Sequence, residues 1–235
     1  LDRKAQRWDA RELRYRITDT TILTLVCLFL FLPLASILLR GIVPLFTLPA
    51  AVWWAAVNSV TVALLSAALS VCMSIAMSAF IIRIARKRKT VSQVMEIVGF
   101  LTLAASPFVI GTGLFVMTFP FVSPFAIALP ITALVNAAMS LPFSLRVILP
   151  AMTRAEDNYG RLADSLGMRT WGRFRLAIWP RLKRPVGFSA GLAAALSMGA
   201  LGVITLLAPP DVPTFALTLY LLMSTSQLGA AAGLA

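Results

Sequence analysis

The chain contains several apolar runs that are each long enough to cross a lipid bilayer. A membrane helix needs roughly 20 consecutive apolar residues to cross a hydrocarbon core of about 30 Å, and the run from Thr20 to Leu39 meets that length. Hydrophobic residues make up 59% of the 235 residues, and the mean hydropathy is +0.88. A soluble core of this size cannot hide so much apolar surface, so lipid must be the solvent. We therefore predict an all-α, polytopic integral membrane protein.

The apolar runs predict the position of each element. A charged arm or linker covers residues 1–19, and the first transmembrane helix covers 20–39. The remaining spans are predicted at about 55–82, 97–119, 125–145 and 186–207, with a sixth begun near residue 227. Residues 214–223 are expected to form a short helix, and residues 153–185 form the only long polar segment. This pattern gives five full spans and the start of a sixth.

The basic residues predict the orientation in the membrane. Of the 21 Lys and Arg, only Arg40 lies outside three stretches, which are the arm, residues 83–89 and the polar segment with its flanks. Because cytoplasmic loops are enriched in Lys and Arg, all three stretches and the N-terminus are expected in the cytoplasm. The net charge of +12 is thus a topology signal. Nucleic acid is a poor candidate for a partner.

The chain has little of the chemistry that an enzyme needs. Histidine is absent, and no cluster of nucleophile, base and metal ligands appears, so no catalytic residue, cofactor or metal site is predicted. Cys27 and Cys72 lie within apolar runs and are interpreted as small buried hydrophobes. The predicted spans contain no Asp, Glu, Lys or Arg, whereas ion-coupled carriers keep ionisable groups there. A transporter of this composition is therefore expected to take its energy from elsewhere, and a partner that hydrolyses ATP would fit. A pore without charged rings is the alternative.

The polar segment has the pattern of a short amphipathic helix. Its apolar residues recur at i, i+3, i+4 and i+7: Tyr159, Leu162, Ala163 and Leu166. Thr153 and Glu156 are spaced as a capping box at the start, and Gly167 can turn left-handed at the end. Such a helix is marginal alone in water. Its stripe must pack against the chain's own membrane helices, the lipid surface or a partner protein.

The sequence of this segment resembles the EAA loop in permease subunits of ATP-binding-cassette importers. The family pattern is Glu-Ala-Ala, three residues, Gly, nine residues and Ile-x-Leu-Pro. Ala163, Gly167 and Pro180 match it in register. The chain departs from the pattern at four positions: Arg161 for Glu, Leu162 for Ala, Ala177 for Ile and Trp179 for Leu.

The resemblance implies a type I importer permease core over residues 55–235, with a coupling helix that docks on an ATP-binding subunit. The residues expected to couple to this ATPase are Tyr159, Arg161, Leu162, Ala163, Asp164, Leu166, Gly167, Met168 and Pro180. The other implied partners are a periplasmic solute-binding protein, the lipid bilayer and a second permease half, expected to be the N-terminal half of the same polypeptide. The implied location is the bacterial cell inner membrane.

The stretch from Ser165 to Pro180 most resembles thiamine permeases, whereas Gly202 to Ile204 followed by Leu217 to Tyr220 resembles both thiamine and iron(III) permeases. The chain as a whole resembles the second half of a fused, double-length permease, as found in iron(III) and thiamine importers. Because of the stretch before Pro180, thiamine is the expected solute and iron(III) the alternative. The alternative from a different class of protein is a membrane channel or scaffold whose amphipathic helix lies on anionic lipid. Glu156, Asp157 and Asp164 count against it, because a lipid-binding helix is rich in Lys and Arg on its polar face.

Three sets of residues within the spans have two interpretations each. Gly187, Gly191 and Gly199 place small side chains on one face, which either packs tightly within the subunit or lines the seam with a second half. Asn136 and Ser140 share a helix face, where interhelical hydrogen bonds are favoured over contact with solute. Pro107, with Gly111 and Gly113, and Pro142 are expected to kink or loosen their helices. Membrane helices tolerate such residues routinely, which is favoured here over a gating role.

Overall fold

All the regular structure that the computed structural model describes is helical, as the composition predicts. The described residues are 13–45, 50–121, 127–168, 170–200, 204 and 214–224. They form α1 (Leu13–Leu45), α2 (Ala50–Ala85), α3 (Lys89–Phe100), α4 (Pro107–Thr118), α5 (Ala128–Ser165), α6 (Thr170–Arg173), α7 (Trp179–Met198) and α8 (Phe215–Ser224). A 3₁₀ turn, Leu101–Ala104, follows α3, and a π-helical turn, Phe174–Ile178, joins α6 to α7.

Three described helices are long and apolar enough to cross a membrane, which makes the chain a multi-pass membrane protein. Their candidate spans are Arg14–Ser36, Val52–Ala85 and Ala128–Ser165, and a bent pair of helices supplies a fourth if it is counted as one span. Each of the predicted spans 20–39, 55–82 and 125–145 overlaps one of these helices. The sixth span and most of residues 201–213 lie outside the described residues.

The region predicted as the span 97–119 is broken in two. The axis bends by 91° between Lys89–Ala104 and Pro107–Thr118. Pro107 occupies the first turn of α4, and Ser106 before it is extended with ψ 135°, because the proline ring disfavours helical geometry in the preceding residue. The loop expected around residues 83–96 is also shorter than predicted, since α3 already begins at Lys89.

Helix α5 continues without interruption from its membrane span into the polar segment. Its 38 residues correspond to about 57 Å, at about 1.5 Å per residue, whereas a bilayer core is about 30 Å thick. The expected start of a separate helix at Thr153 is therefore wrong. Thr153 lies inside α5, and its hydroxyl donates a hydrogen bond to the Leu149 carbonyl at 2.9 Å. A capping box requires a non-helical first residue, and the residues before Thr153 are already helical.

The chain divides into two compact units, residues 1–49 with 219–235 and residues 50–218. In the first unit, none of the candidate span in α1 is buried. In the second unit, α2, α5 and α7 pack together along a line of fully buried serines on α2: Ser66, Ser70, Ser74 and Ser78. Small side chains every four residues let helices approach closely.

The contacts of α2 also define the helix directions. Ser70 lies 3.0 Å from Ser144 on α5, and further along both helices Arg86 pairs with Glu156, so α2 and α5 run parallel. Ser66 accepts a hydrogen bond from Ser197 near the end of α7 at 3.0 Å, whereas Val71 packs with Leu182 near its start. Helix α7 therefore runs in the opposite direction. The basic stretch after α2 and the polar end of α5 lie on the same side of the bundle.

The two cysteines are not buried as predicted. Cys27 on α1 and Cys72 on α2 are both free and exposed. An apolar run shows that a residue lies in a membrane helix, but not which face of that helix meets other protein. Both thiols lie on helix faces that the described part of the chain does not cover.

Candidate partner-docking site on the polar segment

The polar end of α5 closes with the turn that Gly167 predicts. Gly167 has a φ of 62°, in the left-handed region. The Met168 amide donates to the Ala163 carbonyl and the Gly167 amide donates to the Asp164 carbonyl, both at 3.0 Å. This pair of hydrogen bonds is a Schellman motif. It ends α5 and redirects the chain toward α6.

The predicted apolar stripe is divided between two environments. Ala163 is only 2% exposed and Tyr159 is half-buried, so these two residues hold α5 against its neighbours. Leu162 and Leu166 are 57% and 62% exposed. They lie about one turn apart at the end of α5, beyond the length of a membrane span, with Leu166 directly after the last residue of the helix. Large exposed apolar side chains of this kind are typical of a surface that binds another molecule.

Aromatic contacts fix the chain that returns from α5. The Arg181 guanidinium lies 3.4 Å from the centroid of the Tyr159 ring, a cation–π contact between α5 and α7. Trp171 stacks on Phe174 at 6.0 Å. Together with Met168, they line an open cleft of about 770 Å³. Pro180 is exposed in the first turn of α7, and Arg161 is exposed on α5.

Four charged residues join the turn after α2, helix α5 and helix α6, and we call them the charge clasp. Glu156 accepts hydrogen bonds from Arg86 and from both Nε and Nη2 of Arg173, with the Nε bond at 3.2 Å. Arg173 also donates from Nη1 to Asp164. Burial of Arg173 by itself would lower the pKa of its guanidinium, but the hydrogen bonds and charges of Glu156 and Asp164 outweigh it and raise that pKa. Arg173 therefore stays charged at physiological pH.

The residues considered for the translocation path lie in two different settings. Asn136 is buried, and its amide donates to Ser197 on α7 at 2.9 Å, the interhelical hydrogen bond that the sequence favours. Ser140 is buried too and bonds the Ala137 carbonyl of its own helix at 3.1 Å. Gly187 and Gly191 are exposed, and a Cβ added at either would meet nothing within 4 Å. Gly199 follows the last helical residue of α7.

Two structural features were missed in the sequence, although each has a spacing that reveals it. The serines of α2 recur every four residues from Ser66 to Ser78, which is a small-residue packing pattern. Glu156, Gly160 and Asp164 are also four residues apart and share one face of α5. Their partner Arg173 is distant in sequence and could not be inferred from the spacing. Among the described residues, no three His, Cys, Asp or Glu are grouped so that they could hold a metal.

Comparison with known proteins identifies the class first. No protein-family model matches the chain. Curated permease proteins of transport systems match it over up to 94% of its length. The helical membrane fold and this homology show that the chain belongs to the permeases of ATP-binding-cassette importers, the family that the sequence resembles.

The relatives themselves are permeases for one solute. The chain is 33% identical over 224 residues to the thiamine transport system permease protein ThiP of Brucella suis biovar 1, covering 94% of this chain and 41% of that protein. It is 31% identical over 213 residues to the protein of the same name from Escherichia coli, covering 88% and 40%. For Haemophilus influenzae the identity is 29% over 200 residues, covering 81% and 36%. The chain spans about two fifths of the length of these relatives.

Proposed function

We propose that this chain is the transmembrane permease subunit of an ATP-driven importer that moves thiamine from the periplasm to the cytoplasm. The homologous permeases are named for thiamine transport, which supports thiamine over the alternative, iron(III). The proposed location is the bacterial inner membrane with the polar segment in the cytoplasm. The chain itself is non-catalytic, and a separate subunit hydrolyses the ATP.

One observation carries the proposed coupling to an ATP-binding subunit. Leu162 and Leu166 are exposed on the part of α5 that extends past its membrane span. Because α5 is one continuous helix, a force applied at these leucines acts directly on the membrane-spanning part. Closure of two ATP-binding subunits would draw two such helix ends together and open the cavity to the other side, a rigid-body change. A periplasmic binding protein would deliver the solute.

The exposed face of α7 supports a second permease half as partner. No side chain in the described part of the structure lies close enough to Gly187 or Gly191 to prevent the approach of another helix. We propose that this face lies in the seam between two halves, the second being the N-terminal half of the same polypeptide. The channel or scaffold alternative has less support, because the exposed carboxylates of Asp157 and Asp164 interrupt the basic surface that a lipid-facing segment would need.

Co-purification tests the docking role. The intact permease is expressed with its candidate ATP-binding subunit, and wild type is compared with Leu162→Ala and Leu166→Ala. Each truncation is expected to weaken association by about 1–2 kcal/mol through lost apolar contact, a loss of about five- to thirty-fold in affinity. Asn158→Ala is the matched control, since Asn158 is exposed on the same part of α5.

The same complex, reconstituted with its binding protein, tests the solute. Uptake of labelled thiamine with no uptake of ferric ion is expected, and the reverse result would contradict the thiamine assignment. Retention of the ATP-binding subunit by both leucine variants at wild-type affinity would contradict the docking role.

A further inference from the structure

The charge clasp is built into a groove that α5 provides for one side chain. Glu156, Gly160 and Asp164 lie on one face of α5, and Arg173 crosses that face with a carboxylate on each side. A Cβ added at Gly160 would lie 2.6 Å from Nη2 of Arg173. Glycine is therefore required for the guanidinium to lie this close to the helix.

The centre of the charge clasp is shielded from solvent. The side chains of Glu156 and Arg173 are 12% and 13% exposed, whereas Arg86 and Asp164 at the two ends are 52% and 58% exposed. Charge–charge interactions are stronger and less screened by salt where water is excluded. The bond between Glu156 and Arg173 is thus the principal link, and the two outer pairs orient it.

The charge clasp joins the segments that must move together if α5 transmits a force. Arg86 follows α2, and Arg173 ends α6, which continues through the π-helical turn into α7. Glu156 is therefore bonded to the residue that follows α2 and to the last residue of α6, the short helix that leads into α7. Leu162 and Leu166 follow Glu156 by less than three turns of the same helix.

We infer that Arg173 is a positioning residue for coupling, which makes α2, α5 and α7 respond as one body when α5 is displaced at its exposed leucines. This inference rests on the proposed function and adds to it the residues that transmit the movement. Without the Arg173 guanidinium, α5 moves while the ends of α2 and α7 lag behind. ATP is then hydrolysed with little movement of solute.

The test compares Arg173→Gln with Arg154→Gln in the intact permease, co-purified with its ATP-binding subunit and reconstituted with its binding protein. Arg154 is an exposed arginine on α5 outside the charge clasp, which makes it a matched control. Arg173→Gln is expected to retain the ATP-binding subunit within about twofold of wild type. Thiamine imported per ATP hydrolysed is expected to fall at least fivefold, with no change in the control.

Two further variants separate positioning from a general defect. Gly160→Ala, which displaces Arg173 without removing any charge, is expected to lower the same ratio, whereas Gly172→Ala is not. Asp164→Asn removes only an exposed outer pair, so it gives a smaller decrease and remains usable if Arg173→Gln does not fold. An unchanged ratio of thiamine to ATP in Arg173→Gln and Gly160→Ala overturns the inference. Loss of the ATP-binding subunit from Arg173→Gln also overturns it, because Arg173 would then be a docking residue.

Hydrogen exchange on the permease alone distinguishes failure of this inference from failure of the proposed function. The amides of residues 170–178 are expected to exchange faster in Arg173→Gln than in Arg154→Gln, with or without a bound ATPase. Equal amide exchange in Arg173→Gln and Arg154→Gln would show that Arg173 does not hold residues 170–178 in place, and this overturns the inference. If wild type retains no ATPase, the proposed function fails and the coupling role fails with it, even where exchange shows that the charge clasp exists.

Discussion

At the scale of single residues, glycine has two different uses at the end of α5. Gly160 leaves room for the guanidinium of Arg173, whereas Gly167 adopts a left-handed conformation with nothing within 4 Å of an added Cβ. The first is a matter of space and the second of backbone geometry. Only the second could be recognised in the sequence, because a glycine at the end of an amphipathic stripe is a helix stop signal, while the neighbour of Gly160 comes from another helix.

Replacing Gly167 with alanine tests the left-handed turn. An L-residue in this conformation costs roughly 1–2 kcal/mol, so Gly167→Ala is expected to lower the stability of the turn and speed amide exchange at residues 166–168. Gly172→Ala is the control, because Gly172 also has open space around it but lies in α6. Alanine is favoured over glycine in a helix by about 0.5–1 kcal/mol. If amide exchange around the substituted residue were faster in Gly172→Ala than in Gly167→Ala, the positive φ of Gly167 would not be the reason that glycine is needed there.

At the scale of elements, the serines of α2 determine how closely α5 and α7 pack. Ser70 is bonded to Ser144, and Ser66 is linked through Ser197 to Asn136. Two buried hydroxyls, Ser78 on α2 and Ser189 on α7, have no hydrogen-bond partner among the residues that the structure describes. The small size of the serine side chains thus matters at each of these contacts between helices, whereas only some of the serines also contribute a hydrogen bond.

Two substitutions at Ser70 separate size from hydrogen bonding. Ser70→Ala keeps a small side chain and is expected to cost about 0.6 kcal/mol, a typical value for a hydrogen bond between membrane helices. Ser70→Leu must push α2 away from α5 and is expected to cost about 1–3 kcal/mol. Unfolding in detergent measures both, with Thr61→Leu on the exposed face of α2 as control. A cost for Ser70→Leu no larger than for Ser70→Ala would show that close approach is unimportant.

At the scale of the whole molecule, the Arg86–Glu156 ion pair requires that the basic turn after α2 and the polar end of α5 share one side of the membrane. The opposite side is marked by the turn after α4, since Leu114 and Phe115 pack on the first turns of α5. The positive-inside rule assigns the basic side to the cytoplasm. The cytoplasmic location of the basic side is a prediction, and it can be tested because α2 and α5 place their basic and polar ends on the same side.

Labelling with a membrane-impermeant maleimide tests this topology. Cys27 and Cys72 are first replaced by serine, because both native thiols are exposed. Single cysteines are then placed at Lys87, Asn158 and Phe121, all of which are exposed. In intact spheroplasts only the Phe121→Cys variant is expected to react, while inverted vesicles expose the other two. Reaction at Lys87→Cys and Asn158→Cys from opposite sides would contradict the parallel arrangement of α2 and α5.

The sequence by itself determined the class of the protein, because apolar runs of this length have no stable place outside lipid, and every backbone amide there must be paired within a helix. It also determined the end of α5 at Gly167 and the EAA-like spacing to Pro180, since both depend on residues that are near in sequence.

The tertiary structure decided what depends on contacts between distant residues. A capping box at Thr153 was plausible locally, but α5 was already helical and no local signal ended it, so the predicted separate helix was wrong. The exposure of Cys72 and the position of Arg173 between two carboxylates depend on which helices pack together, and α2, α5 and α7 meet along the buried serines. Local spacing could identify a helix and its stop, whereas only the packed bundle could bring Arg86, Glu156 and Arg173 together.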